Sequence, residues 1–184
     1  MTIDKIIKFI LSPCFLLTLS GIILLFNFAR KNNNFFDVRK IFSDQLEIFK
    51  DAKGQIFVFY GVPILLAFGV ANYRLIDKDI VGNIVIVLSI IISMLFAMLS
   101  VLTGFNKDDK HYKQVLKETF NTVIFESVLC IAALMASFSV LFIGNIETAW
   151  VKYCISFTIY YLIFAILLNI FIVIKRIKSL FDNK

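Results

Sequence analysis

The chain is poor in the residues that carry out chemistry. It holds one histidine, His111, and three cysteines, Cys14, Cys130 and Cys154, spread over 184 residues. No C-x-x-C pair occurs, and His111 has no second histidine or cysteine nearby, so no zinc spacing exists. The seven glycines form no phosphate-cradling loop, and neither a nucleophile elbow nor an H-E-x-x-H helix is present. Catalysis, a metal centre and a cofactor are therefore not expected. Charge is also scarce, at 17% of residues, against 60% hydrophobic residues that include 21 phenylalanines. A soluble domain of this length would leave much of that apolar surface facing water, which excludes the class.

What fills the chain instead is a series of long uncharged runs. Measured against the roughly 20 residues that carry a helix across about 30 Å of hydrocarbon, five segments stand out. They are Phe9 to Ala29, Gln55 to Tyr73, Ile80 to Asn106, Thr119 to Ile146 and Thr148 to Ile174. Unpaired backbone groups in lipid cost several kcal/mol apiece, and no alternating polarity points to a strand barrel, so each run is read as a helix. The expectation is an all-α, polytopic membrane bundle forming one domain over residues 1–184. Lys5 and Lys8 precede the first run, which is longer than a signal-peptide core and lacks a small-x-small cleavage site, so it is read as retained.

Lys and Arg outside the spans give the orientation, because cytoplasmic loops carry the excess. Five spans place 14 of the 19 basic residues on one side. If the first run, broken near its start by Pro13, does not cross, four spans place 16 on one side. Both alternatives put residues 30–54, 107–118 and the C-terminal tail in the cytoplasm. The net charge of +6 is thus a footprint of orientation, and direct nucleic-acid binding is not expected. Two helical hairpins, each following a charged stretch, make up the layout.

Residues 35–53 form an amphipathic segment in which Phe35, Val38, Phe42, Leu46 and Phe49 share one apolar stripe. Such a stripe lies on headgroups or its own bundle, or docks a soluble cytoplasmic protein. Residues 107–118 read as an extension of the fourth span. Within the spans, Glu126 matters because a mid-bilayer charge is disfavoured by at least about 2.5–3.5 kcal/mol. A hairpin turning near Ile146 places position 126 opposite about 166, with Asn169 one turn away, so Glu126 and Asn169 can share a hydrogen bond. Lys152 is close enough to the start of its span to snorkel. Small residues at four-residue spacing, Ser89, Ser93 and Ala97 on the third span and Ala132 and Ala136 on the fourth, read as packing faces within one chain or between chains. Ala133 with Ser137 repeats the pattern. A homo-oligomer embedded in the lipid bilayer is the expectation.

The amphipathic FFDVRKIFSDQLEIFK segment, the lysine-rich connector KDDKHYKQVLKE and the four or five spans together resemble the membrane subunits of bacterial anti-phage defence systems, most nearly that of Kiwa. The resemblance is one of layout over the whole chain. It implies an inner-membrane homo-oligomer that senses phage-induced membrane disturbance and works with a cytoplasmic DNA-associated partner. Two functions are compatible with the residues themselves. One is a sensor and scaffold that recruits a soluble effector to the cytoplasmic face. The other is a pore that depolarises the cell, with Glu126, Asn169 and the serine stripe facing water; the few polar side chains in the spans favour the scaffold.

Overall fold

The computed structural model describes residues 19–20, 40–43, 45, 54, 57–104, 110–143 and 149–182. The chain divides into two units, 1–43 and 44–184. In the first, residues 19–20 and 40–43 are helical and Phe42 is exposed. The second contains a π-helical turn, Phe57–Gly61, followed by α1 (Val62–Tyr73), α2 (Lys78–Thr103), α3 (Lys110–Ile143) and α4 (Ala149–Asp182). No strand occurs among the described residues. Three helices are long and apolar enough to cross a membrane, Lys78–Thr103, Tyr112–Leu141 and Ala149–Leu180, while the apolar stretch Phe57–Tyr73 is shorter. The expected run 9–29 lies outside the described residues except for 19–20.

Local chemistry accounts for the helix boundaries. Pro63 sits in the first turn of α1, where its missing N–H is harmless. The residues just before it cannot continue a regular ladder through that proline, and they widen into the π turn. α1 ends as Arg74 becomes extended, its N–H still bonded to the Val70 carbonyl at 2.8 Å. α2 then starts two residues before the expected Ile80, because Asp77 caps it: its carboxylate accepts the Ile80 N–H at 2.8 Å and Asp79 follows in the first turn. Arg74 holds the same carboxylate at 2.9 Å. α3 runs unbroken from the lysine-rich connector into the apolar run, as the extension reading anticipates. α4 continues past Ile174 through most of the basic tail.

The helices pack in the order α1, α4, α3, α2; α1 and α2 are joined by only four residues yet do not pack on one another. The contacts are made by rows with a seven-residue period. On α2 the buried residues are Val81, Leu88, Leu95 and Leu102. On α3, Tyr112, Thr119, Glu126 and Ala133 form one buried row, and Val123, Cys130 and Ser137 another. On α4 the row is Ile159, Ile166, Val173 and Leu180. Such a period keeps one seam facing the partner only if the helices wind around each other in a left-handed sense. At the end where α2 and α4 begin, Ile76, Val81 and Ile159 centre an apolar cluster with Ile80, Ile155 and Val140. There the linker is tied to α4 twice: the Ile76 N–H donates to Ser156 Oγ at 3.0 Å, and the Tyr160 hydroxyl donates to the Arg74 carbonyl at 3.1 Å.

The other sides of the helices are apolar and uncovered, with Leu65, Phe68, Ile90, Phe96 and Phe171 all exposed. Two consequences can be measured. Leu95 is 0% exposed and Ile90 64%, so in mixed micelles Leu95→Ala is expected to lower the unfolding free energy by about 2–5 kcal/mol and Ile90→Ala by roughly 0.5 kcal/mol or less. The Asp77 carboxyl is held below the usual carboxylate range, first by the Ile80 N–H and then by Arg74. A depressed folded value means that the cap acts fully above the unfolded value of about 4 and is lost as pH falls through the folded one. Hydrogen-exchange protection of the Ile80 amide, corrected for intrinsic rates, is therefore expected to persist from neutral pH down to about 4 and to fall below it.

Candidate functional site

α3 and α4 are apolar for most of their length, and the polar side chains between them are few enough to account for one by one. The buried threonine and serine hydroxyls of α3 are turned back on their own helix. Thr119 donates to the Val115 carbonyl at 2.7 Å, Thr122 to that of Glu118 at 2.8 Å, Ser127 to that of Val123 at 2.9 Å and Ser137 to that of Ala133 at 2.8 Å. Each therefore meets its hydrogen-bonding need without a partner helix or water. Two groups do not. Glu126 on α3 and Asn169 on α4 are both 0% exposed, and neither the carboxylate oxygens nor the amide atoms close a hydrogen bond.

The two face each other because of the helix register. Arg176 donates to the Glu118 carboxylate at 3.1 Å, with the arginine side chain more covered than the glutamate. In an antiparallel pair every step along α3 is matched by a step back along α4. Eight residues inward from Glu118 is Glu126, and eight back from Arg176 is 168, next to Asn169. The Asn169 amide and the Glu126 carboxyl are indeed interaction partners, although their geometry falls short of a formed bond. The Tyr60 hydroxyl, on the π turn, is within electrostatic reach of Glu126, and so is the Cys130 thiol one turn along α3. The site is a carboxyl and an amide sealed among helices, with a phenol and a thiol nearby. Among the described residues no group of three His, Cys, Asp or Glu is placed to hold a metal.

The other sequence candidates are placed as follows. Ser89, Ser93 and Ala97 are exposed, and the two hydroxyls bond to the Val85 and Ser89 carbonyls, so this row is not a packing face among the described helices. The Leu88, Leu95 and Leu102 row takes that role, since large side chains fill the space towards α3. Ala132 is exposed and Ala136 half-buried beside the apolar cluster, whereas Ala133 and Ser137 are fully buried. Phe35, Val38, Leu46 and Phe49 lie outside the described residues. Phe42, from the same stripe, is exposed. Cys154 is exposed, Cys130 buried, and Cys14 lies outside the described residues. Sequence reasoning did not reach the Glu118–Arg176 pair, although opposite charges at matching distances from the hairpin turn would have signalled it. Gln45 is likewise buried without a hydrogen-bond partner.

No family model matches the chain, and neither curated proteins nor solved structures give a significant match.

If Glu126 and Asn169 only fill space between α3 and α4, Glu126→Gln should leave folding and assembly unchanged, since an amide presents the same shape. Removing one member of the pair differs from removing both. Asn169→Leu alone is expected to destabilise by about 1–3 kcal/mol, because it takes the facing amide from the buried carboxyl, and Glu126→Met added to it should recover most of that loss. A double-mutant cycle of unfolding in micelles checks the sign of the coupling.

Proposed function

We propose that this chain is a multi-pass scaffold of the bacterial inner membrane that oligomerises and presents a cytoplasmic face to a soluble effector protein, in the setting of anti-phage defence. The observation that carries the reading is the shape of the α3–α4 pair. Each helix has 34 residues, or about 51 Å, against roughly 30 Å of hydrocarbon. The excess falls at the end where α3 begins and α4 ends. There Lys113 and Lys117 on α3 and Lys175 and Lys178 on α4 flank the Glu118–Arg176 pair. Basic residues at one end orient that end to the cytoplasm, and the ion pair ties the two extensions into a single post.

The post offers one docking element, and the amphipathic stripe of residues 35–53 is expected from its sequence to offer another. The exposed Ser89, Ser93 and Ala97 row, which packs on no other described helix, supplies the close-approach surface for a second copy. Membrane disturbance would change helix packing and so the face shown to the effector.

A second reading, a pore that depolarises the cell, is favoured by one observation, the unpartnered Glu126 and Asn169. The hydroxyls around them bond to their own backbone and leave little to replace an ion's hydration. The scaffold accounts for more of the structure. On this reading Phe42→Ser, Leu46→Ser and Phe49→Ser together abolish copurification of the soluble partner from native membranes. The oligomer and membrane insertion survive, because each large apolar side chain is worth about 1.5–3 kcal/mol where it docks and the spans are untouched. Retention of the partner by the triple variant would move recruitment to the α3–α4 post.

A further inference from the structure

The apolar cluster at the start of α2 and α4 has a cavity beside it. Its volume is about 250 Å³, and it opens between the α1–α2 linker, the last turns of α3 and the first turns of α4. The walls are Ile76, Val140 and Ile155, and the polar lining comes from Asp77, Lys78 and Lys152, with Ser156 beside them. These polar groups are not equivalent. Asp77 is committed, because its carboxylate accepts the Ile80 N–H and the Arg74 guanidinium. Ser156 Oγ is committed to the Ile76 N–H. Lys78 and Lys152 make no ion pair with any described residue. Asp79, the remaining acid of this turn, does not line the cavity. The cavity therefore offers two free ammonium groups over an apolar floor, where α2 and α4 both present helix N-termini.

Deeper between α2 and α4 is a second concavity of about 200 Å³, lined by Ile84, Val87, Leu88, Ile91 and Ile163 among others. It lies some 9–20 Å further along α2 from Lys78 at 1.5 Å per residue. Ile84 and Ile163 belong both to this groove and to the apolar cluster under the cavity. A cationic cavity at one depth and an apolar groove one to four turns below it match a molecule with an anionic head and a hydrocarbon tail.

We propose that the cavity binds the phosphodiester headgroup of an anionic phospholipid, with Lys78 and Lys152 as its cationic contacts and the α2–α4 groove receiving an acyl chain. The proposal rests on the membrane reading given above and adds a specific ligand to it. It assigns Lys152 a role beyond reaching for the headgroup region: its ammonium and that of Lys78 converge on one phosphate. A zwitterionic lipid brings its own cation into a cavity already carrying two, so selection against phosphatidylcholine follows from charge alone.

The test uses the full-length protein in nanodiscs of equal parts phosphatidylglycerol and phosphatidylcholine, with the lipid that survives extraction into detergent measured by native mass spectrometry. Wild type is expected to retain phosphatidylglycerol over phosphatidylcholine. Lys78→Gln with Lys152→Gln should lower that preference roughly tenfold, from the loss of two charge contacts near the headgroup plane. Lys78→Arg with Lys152→Arg should keep it. Equal retention of the two lipids by wild type, or an unchanged preference in the glutamine variant, overturns the proposal. Helical circular dichroism verifies that the glutamine variant is folded. Should it not fold, the wild-type protein decides by competition. Glycerophosphoglycerol is expected to displace the lipid whereas inorganic phosphate at the same concentration does not, and equal displacement by inorganic phosphate overturns the lipid assignment. Failure of the protein to remain in nanodiscs at all would instead refute the membrane reading.

Discussion

The antiparallel register of α3 on α4 is the constraint on which the remaining structure depends. α1 packs on α4 and α2 packs on α3, so both outer helices take their position from that central pair. Two kinds of interaction define the register, and their magnitudes differ. The Glu118–Arg176 pair is partly solvated, and pairs of that kind contribute about 0–1 kcal/mol. The buried rows, Thr119 to Ala133 on one helix and Ile159 to Leu180 on the other, involve many side chains and carry most of the energy. A slip of one turn, however, would still set buried row against buried row while parting arginine from glutamate and Glu126 from Asn169. Packing supplies the stability, and the polar pairs select one register among several of similar packing energy.

The same contrast explains which features could be read from the residues alone. Long apolar runs reveal helices without reference to any partner, so helices are found over the four expected runs within the described residues, three of them long enough to span, although α3 begins earlier, at Lys110, and α4 ends later, at Asp182. The start of α2 at Lys78 needed only the recognition of Asp77 as a cap. The face that each helix presents to its neighbours was harder to read. Amphipathic periodicity works through contrast between a core face and a wet face, and in these helices both the buried and the exposed faces are apolar. Ser89, Ser93 and Ala97 were the visible pattern on α2, whereas the buried seam is Val81, Leu88, Leu95 and Leu102, hidden in a background of similar residues. The apposition of Glu126 and Asn169 was legible because counting from the hairpin turn is insensitive to that background. The Lys78 and Lys152 cavity was not, because it joins three segments far apart in sequence.

The two ends of the central pair differ in how their charges are used. Where α2 and α4 begin, Arg74 and Asp77 neutralise one another while capping α2, and the linker is pinned to α4 through Ser156 and Tyr160. At the opposite end a cross-helix pair, Glu118 with Arg176, sits among several lysines. The first arrangement fixes a short connection rigidly, and the second leaves a positive surface on a projecting pair of helices. On the proposed reading the rigid end is suited to a lipid headgroup and the projecting end to a protein.

The unpaired Glu126 and Asn169 fit that division. A conduction path needs polar groups offered in succession along the axis, yet Thr119, Thr122, Ser127 and Ser137 each spend their hydroxyl on the preceding turn of α3. What is left is one carboxyl facing one amide at a single depth, between side chains that are apolar or bonded to their own helix. An isolated polar pair of this kind resists sliding of α3 along α4, since displacement would strand both groups among apolar side chains. It also makes the two helices move together, so on the proposed reading a change in lipid packing at one end would be carried to the post at the other.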